Sequence, residues 1–413
     1  MNLFLNNILR LAIVGSVILF TFGCADNSYP GEEYLSSILD KTPDHGSFPI
    51  KLSVGNSLLD EGDREPEKSR GDKTKEELSD TVYVYAYKKD MTTNYSLDSN
   101  TDKDMCLLDG YMQDKPSAHG KKSMLLDEAP YLTWTNSPFK VYFHDNNLAY
   151  DFFAYYLDGA YMGDSEISKT ENGISMNLTI DGSNDIMTSK SVITEEQLNA
   201  GAYTESDKEA IRNVSFSNIT ASWNIQPIFK FKHHMCRFVF YIYPKVADVG
   251  NVYVESISVR SRTKGVLTVV NKTVGKMGVD FSQEQGKTEL FLKEKDKTPL
   301  RKDVYHPLTE NIDLNNPPYV QVGADLILPP GEIDYECVIT MKQEKDGQMI
   351  HFPSSISLTN NGQSFEPGNQ YNVKIGIYGV QIINDNVLVT ATPWEFGGSI
   401  EIDPDEDFEN NNR

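Results

Sequence analysis

Positive charge is what this chain has least of relative to its size. Thirty-eight Lys and Arg stand against 60 Asp and Glu, a net charge of −22 over 413 residues. A surface of that sign repels phosphate backbones, which argues against nucleic acid as a partner. It also argues against a polybasic hold on an anionic membrane. Cysteine is almost as scarce, with Cys24, Cys106, Cys236 and Cys337 only. Cys24 ends an apolar leader, so the remaining three allow at most one disulfide and leave one thiol over. Cys236 and Cys337 each fall on the apolar face of an expected strand. Two readings stay open for them: buried free thiols acting as small hydrophobes, or a Cys236–Cys337 bridge. No cysteine spacing fits a zinc site. Long apolar runs are missing too. The run Leu11–Phe22 is about half of a bilayer span, so it reads as an export signal. Missing last are the motifs of catalysis: no G-x-S-x-G elbow, phosphate loop, dinucleotide fingerprint or zinc-protease helix. The expectation is a protein that is not an enzyme and takes neither cofactor nor metal.

What is present is aromatic. Twenty-two Tyr and 19 Phe bring the aromatic share to 11%, and these residues favour strands. Period-two alternation recurs along the chain. Phe48, Ile50, Leu52 and Val54 alternate with Pro49, Lys51 and Ser53; Pro49 lacks an N–H, which suits an edge position. Val82, Val84 and Ala86 alternate with Tyr83, Tyr85 and Tyr87. The run Tyr150–Tyr156 is apolar or aromatic at six positions and predicts a strand buried on both faces. Phe238, Phe240 and Ile242 share a face, as do Tyr335, Cys337, Ile339 and Met341. Further strands are expected around Val252–Val259, Gly265–Val270, Glu289–Leu292 and Tyr319–Leu328. Many short strands split by turns predict an all-β sandwich with Greek-key connections. Two capping-box patterns, Thr194–Gln197 and Ser206–Glu209, predict short helices between strands.

The C-terminal stretch is the most patterned. It reads F-E-P-G-N-Q-Y-N-V-K-I-G-I-Y-G from Phe365, then V-T-A-T-P-W ending at Trp394. It resembles the C-terminal phrase of fimbrillin-like proteins, the pilins and pilin-related lipoproteins of Bacteroidota. The aromatic run at Tyr150–Tyr156 is similar to the family's Y-x-F-x-A-Y-Y-P phrase, with Leu157 in place of Pro. His233, His234 and Arg237 fall in a phrase similar to the one that opens the family's second domain. The resemblance implies two tandem transthyretin-like β-sandwich domains, here 46–225 and 226–413, behind a signal peptide (1–23) and a tether (24–45).

The leader ends Thr21-Phe22-Gly23-Cys24, which resembles a lipobox with Thr21 where Leu is usual. Cys24 would then carry the acyl chains that hold the protein on the outer membrane, facing outward; ordinary secretion is the other reading. The charged stretch Asp60–Asp80 cannot bury a core and reads as an exposed loop. In fimbrillins an Arg-specific cut in such a loop frees the first strand, and a neighbouring subunit's strand fills the groove. The resemblance therefore implies Arg70-Gly71 as a cut site, Phe48, Ile50, Leu52 and Val54 as the displaced strand, and Val387, Val389, Ala391, Trp394, Ile400 and Ile402 as the donor or groove strand. Its partners would be other pilin subunits or copies of itself in a fimbrium. A cut after Arg70 would also part the body from its lipid, so anchoring and cutting compete.

The alternative is a surface lipoprotein that binds host or bacterial glycans without polymerising, with Trp134 and Trp223 as stacking candidates against a reading as core residues. Asp98, Asn100, Asp102 and Asp104 alternate like a calcium loop, but Lys103 stands where Gly is needed. Adjacent His233 and His234 on a strand point to opposite faces and cannot chelate one ion from it.

Overall fold

The computed structural model describes residues 47–55, 81–111, 119–125, 131–134, 141–144, 148–160, 167–273, 275–308, 313–345, 347–379 and 387–394. In chain order the strands are β1 (Leu52–Val54), β2 (Val82–Lys88), β3 (Cys106–Leu108), β4 (Lys121–Leu125), β5 (Tyr131–Trp134), β6 (Tyr150–Tyr156), β7 (Ile167–Thr170), β8 (Gly173–Thr179), β9 (Met187–Lys190), β10 (Ile228–Phe229), β11 (Lys232–His233), β12 (Cys236–Pro244), β13 (Val252–Ser261), β14 (Lys264–Asn271), β15 (Gly278–Asp280), β16 (Thr288–Phe291), β17 (Val320–Leu328), β18 (Asp334–Lys345), β19 (Gln348–Thr359), β20 (Asn369–Ile377) and β21 (Val387–Pro393). Among the described residues three short helices, α1 (Glu195–Asn199), α2 (Glu205–Val214) and α3 (Asn218–Ser222), interrupt them. The fold is all-β, as the alternation predicts.

The first sheet runs β10-β1-β5-β4-β2-β6-β9-β11, with β3 beside β2. Its two ends are the same stretch of chain: only Lys230 and Phe231 separate β10 from β11. A bridge between Val192 and Ile228 joins the chain after β9 to that stretch, so the sheet closes on itself. Its inward residues include Leu52, Val54, Val82, Val84, Phe152, Ala154, Phe229 and Phe231, and they form one apolar cluster with Leu198, Ile211 and Ala221 of the helices. The outward side of the same strands, Tyr85, Phe153 and Tyr155, packs against Ile174, Met176 and Leu178 of β8. That is why β6 is apolar at nearly every position: its two faces serve two cores.

The other three sheets have four strands each: β15-β14-β8-β7, β17-β12-β20-β21 and β16-β13-β18-β19. The last two face each other through Phe238, whose ring lies 5.6 Å from Tyr335, 5.1 Å from Phe365 and 5.2 Å from Tyr371. Three strand pairings cross residue 225: β8 with β14 from Lys264↔Thr179 to Asn271↔Gly173, β10 with β1, and β11 with β9. Consequently the outward side of the first sheet and the sandwich around Phe238 share one continuous apolar cluster.

Local chemistry accounts for the helix starts. Thr194 caps α1 with Gln197 in a reciprocal capping box, as expected. The second cap is Thr204 with Asp207, two residues ahead of the expected Ser206. Thr204 presents its hydroxyl to the Asp207 N–H, and Asp207 returns two bonds to Thr204, at 2.7 and 2.6 Å. Ser217 caps α3 in the same way.

Cys236 and Cys337 are both free and buried, so the bridge weighed above is not formed. Cys236 donates instead to the Glu366 carbonyl at 3.2 Å. Burial pushes both thiols well above their ordinary range, which makes them inert packing groups.

Truncating Phe238 to Ala should cost about 3–5 kcal/mol, because three rings lose a shared neighbour at a fully buried point. Leu388→Ala, at a side chain 49% exposed, should change stability by less than about 0.5 kcal/mol. Urea midpoints of the two variants check the pair.

Candidate assembly site

The stretch 48–55 sits in a slot with partners on both sides. On one side the Phe143 N–H donates to Phe48 O and the Ile50 N–H to Val141 O, at 2.9 and 2.8 Å, and Leu52 pairs with Leu132 of β5. On the other, Ser53 N–H donates to Pro227 O at 3.2 Å and Gly55 N–H to Phe229 O at 2.9 Å. Two amide side chains fill the gaps in that second ladder. Asn218 Oδ1 accepts from Phe48 N–H at 2.7 Å, and Gln226 Oε1 accepts from Lys51 N–H at 3.1 Å. Gln226 Nε2 donates to Pro49 O at 3.1 Å. The expectation of an edge strand is therefore corrected: β1 lies between β5 and β10. Pro49 is tolerated because its neighbour there is a side-chain amide that needs only its carbonyl. Ile50, Leu52 and Val54 point into the enclosed core and are at most 5% exposed; Phe48 is half-buried at its rim.

At the far end of the chain, β21 is the outer strand of its sheet, paired with β20 from Ile375↔Val387 to Asn369↔Pro393. Val389 is buried, Val387 half-buried and Ala391 exposed. The strand ends at Trp394, which is buried and whose N–H donates to Gly368 O at 2.8 Å. Gly368 has φ +74°, the left-handed conformation that the expected Pro-Gly turn requires. The His233 ring stacks on the Trp394 indole at 4.0 Å between centroids, 17° from parallel. Arg237 lies over the same indole, 5.6 Å from its ring, while its Nε donates to Asp325 at 2.6 Å. Asp185 holds His233 Nδ1 at 2.8 Å. A Trp contact across the junction was not legible in the sequence, where 161 positions separate the two rings; only the joint presence of both family-like phrases hinted at it.

His234 faces the other way, as strand geometry requires. Its Nε2 lies 2.6 Å from Thr188 Oγ1, and a Cβ at Gly278 would sit 3.0 Å from its Nδ1. Burial, with the charge of Lys232 second, lowers its pKa to about 4.

Of the remaining expected site residues, Cys24, Arg70, Gly71, Ile400 and Ile402 lie outside the described residues. Trp134 and Trp223 are half-buried and pack against the enclosed core. Asp98 and Asp102 spend their carboxylates on nearby backbone: Asp98 Oδ1 accepts from the N–H groups of Asn100 and Thr101, and Asp102 Oδ1 from those of Asp104 and Met105. Among the described residues no group of acidic, His or Cys side chains is arranged to hold a metal ion, and no helix is long and apolar enough to cross a membrane.

The described residues form a layered all-β body, with a short strand seated in a closed sheet and an outer strand that ends at Trp394. Residues 76–394 match the fimbrillin-like family, and the chain belongs to it. The family is one of structural fimbrial subunits associated with the cell surface. Among solved structures the chain is similar to a candidate cell adhesion protein of Bacteroides uniformis, at 14% identity and TM-score 0.43 over 86% of this chain and all of that one. It is also similar to the fimbrial anchor protein of Porphyromonas gingivalis, at 11% identity and TM-score 0.29 over 85% of this chain and 100% of that one. The tip fimbrial protein of the same organism gives 10% and 0.30 over 84% and 99%. No curated protein sequence matches.

Stability should fall with acid through His234. Folding holds its ring neutral, so the contribution is complete above the ordinary value of 6.5 and is lost as pH drops toward about 4. Chemical denaturation between about pH 7.5 and pH 4.5 should show a steeper loss in the parent than in His234→Gln.

Proposed function

We propose that this chain is an exported, lipid-anchored fimbrial subunit that joins its neighbours by strand exchange at the slot of residues 48–55. The observation that carries the reading is the slot itself. Five backbone N–H groups of this stretch, those of Phe48, Ile50, Lys51, Ser53 and Gly55, find acceptors across the two sides. Three alternate side chains fill pockets, each contributing about 1.5–3 kcal/mol on burial. An extended segment from another subunit with apolar residues at alternate positions would meet the same donors, acceptors and pockets. Cys24 would carry the lipid, and Arg70-Gly71 is the proposed cut that frees the resident strand. Val387–Trp394 would line or donate the partner strand together with Ile400 and Ile402. Assembly partners would be other subunits or further copies of this chain.

Treatment of surface material with an Arg-specific protease should yield a new N-terminus at Gly71 and a ladder on denaturing gels. Arg70→Ala should abolish both. An unchanged ladder from that variant would reject the cut site, and an intact monomer under all conditions would reject polymerisation.

A further inference from the structure

The slot and the last strand are connected by one stretch of backbone. Gln226 and Pro227 serve β1, Phe229 accepts from Gly55, and Phe231 is buried in the enclosed core. The next residues, Lys232 and His233, pair with Thr188 and Met187 of β9. His234 N–H donates to Ile186 O at 2.9 Å, and Met235 O accepts from Gly368 N–H at 2.9 Å. From Gln226 to Arg237 the chain is bonded first to the slot, then to β9, then to the turn that carries Trp394. These backbone bonds pin the stretch to its neighbours in turn, so a displacement at the slot end must be taken up by the bonds that follow it.

At the end of this stretch sits the Trp394 stack. Its indole N–H has no hydrogen-bond partner among the described residues. The ring is therefore held by its faces, against His233 and Arg237, and by the bond from its own backbone to Gly368. A contact made by faces depends on where those two side chains lie. Both belong to the stretch that borders the slot.

We infer that Trp394 is a latch on β21 whose closure is energetically coupled to occupancy of the β1 slot, through residues 226–237. An occupied slot fixes Pro227–Phe229, which fixes His233 and so the stack; an empty slot loosens the stack and frees the end of β21. Coupling of this kind is reciprocal, so loosening the latch must also loosen the slot. The inference deepens the strand-exchange reading and takes its biological sense from it. The coupling itself is a property of the single uncut chain.

The test is hydrogen exchange on the intact, uncut protein. In Trp394→Ala, amides of the peptide spanning 48–55 should exchange roughly three- to tenfold faster than in the parent, the range expected for losing one aromatic contact. Amides of β2 should be unchanged. In Trp394→Phe, which keeps a stacking face, the acceleration should be smaller. His233→Gln, in which Trp394 itself is retained, should reproduce the effect of Trp394→Ala. In the other direction, Leu52→Ala should accelerate exchange of the Trp394 amide. Unchanged slot exchange in both Trp394→Ala and His233→Gln would overturn the coupling, as would equal acceleration of slot and β2. Failure of the protease ladder with slot acceleration intact would reject strand exchange and leave the latch standing.

Discussion

Closure of the first sheet by a single extended segment is the constraint on which the rest depends. Residues 227–233 bond to β1 on one side and to β9 on the other, then run directly into β12, the strand at the heart of the sandwich. A closed sheet has no free edge, and edges are where β proteins aggregate. Here the closing element is two residues long at each contact, so closure is local and rests on few bonds. The same segment therefore seals the enclosed core and sets the position of the second sandwich. The consecutive strands β13 and β14 add a second tie, because they lie in different sheets and β14 pairs with β8.

The slot shows how a chain rich in carboxylates handles buried backbone. The groups that complete the second ladder are amides, Asn218 and Gln226, rather than Asp or Glu. A carboxylate can only accept, and burying it carries a desolvation cost. An amide side chain copies a peptide group: Gln226 accepts from Lys51 and donates to Pro49 O, as a neighbouring strand would. Gln197 donates in turn to the Gln226 carbonyl at 2.8 Å, which ties the start of α1 to the wall of the slot. The capping box of Thr194 and Gln197 thus serves two ends, the helix start and the strand beyond it.

Much of this was legible from residues alone, and the parts that were not share a physical cause. Alternation found β2, β12, β18, β20 and the start of β21, a continuous apolar run found β6, and strands were expected where β13, β14, β16 and β17 stand. These signals passed over β4 (Lys-Lys-Ser-Met-Leu), β7 (Ile-Ser-Lys-Thr) and β9 (Met-Thr-Ser-Lys), which are short and polar and draw their stability from partners distant in sequence. The 12-residue β19 hides its two buried residues, Ile356 and Leu358, at one end. Of the site, the stretch Phe48–Val54 and the Trp-terminated β21 were readable as strands. Their surroundings were not: Pro49 suggested an edge because the sequence cannot show that Gln226 stands opposite. The stack of His233 on Trp394 was equally hidden, since ring contacts across sheets leave no periodic trace.

The strand exchange proposed above would place two opposed demands on β1. It must be bonded well enough to keep the enclosed core dry, yet hold few enough bonds for a competitor to displace it. β1 meets both by being only three residues long in the ladder while its flanks, Phe48 to Lys51 and Gly55, are held by isolated backbone bonds and side-chain amides. Ladder bonds are the same for any sequence, so they supply affinity without choice of partner. Under the proposed exchange, selection would come from the alternate pockets of Ile50, Leu52 and Val54, whose walls are the residues of the enclosed core. An intruding strand with β-branched or Leu side chains at every second position fits those pockets; one slipped by a single residue presents its polar face to them and is refused. Register, rather than strength of pairing, would then separate a correct partner from other strands in the proposed exchange.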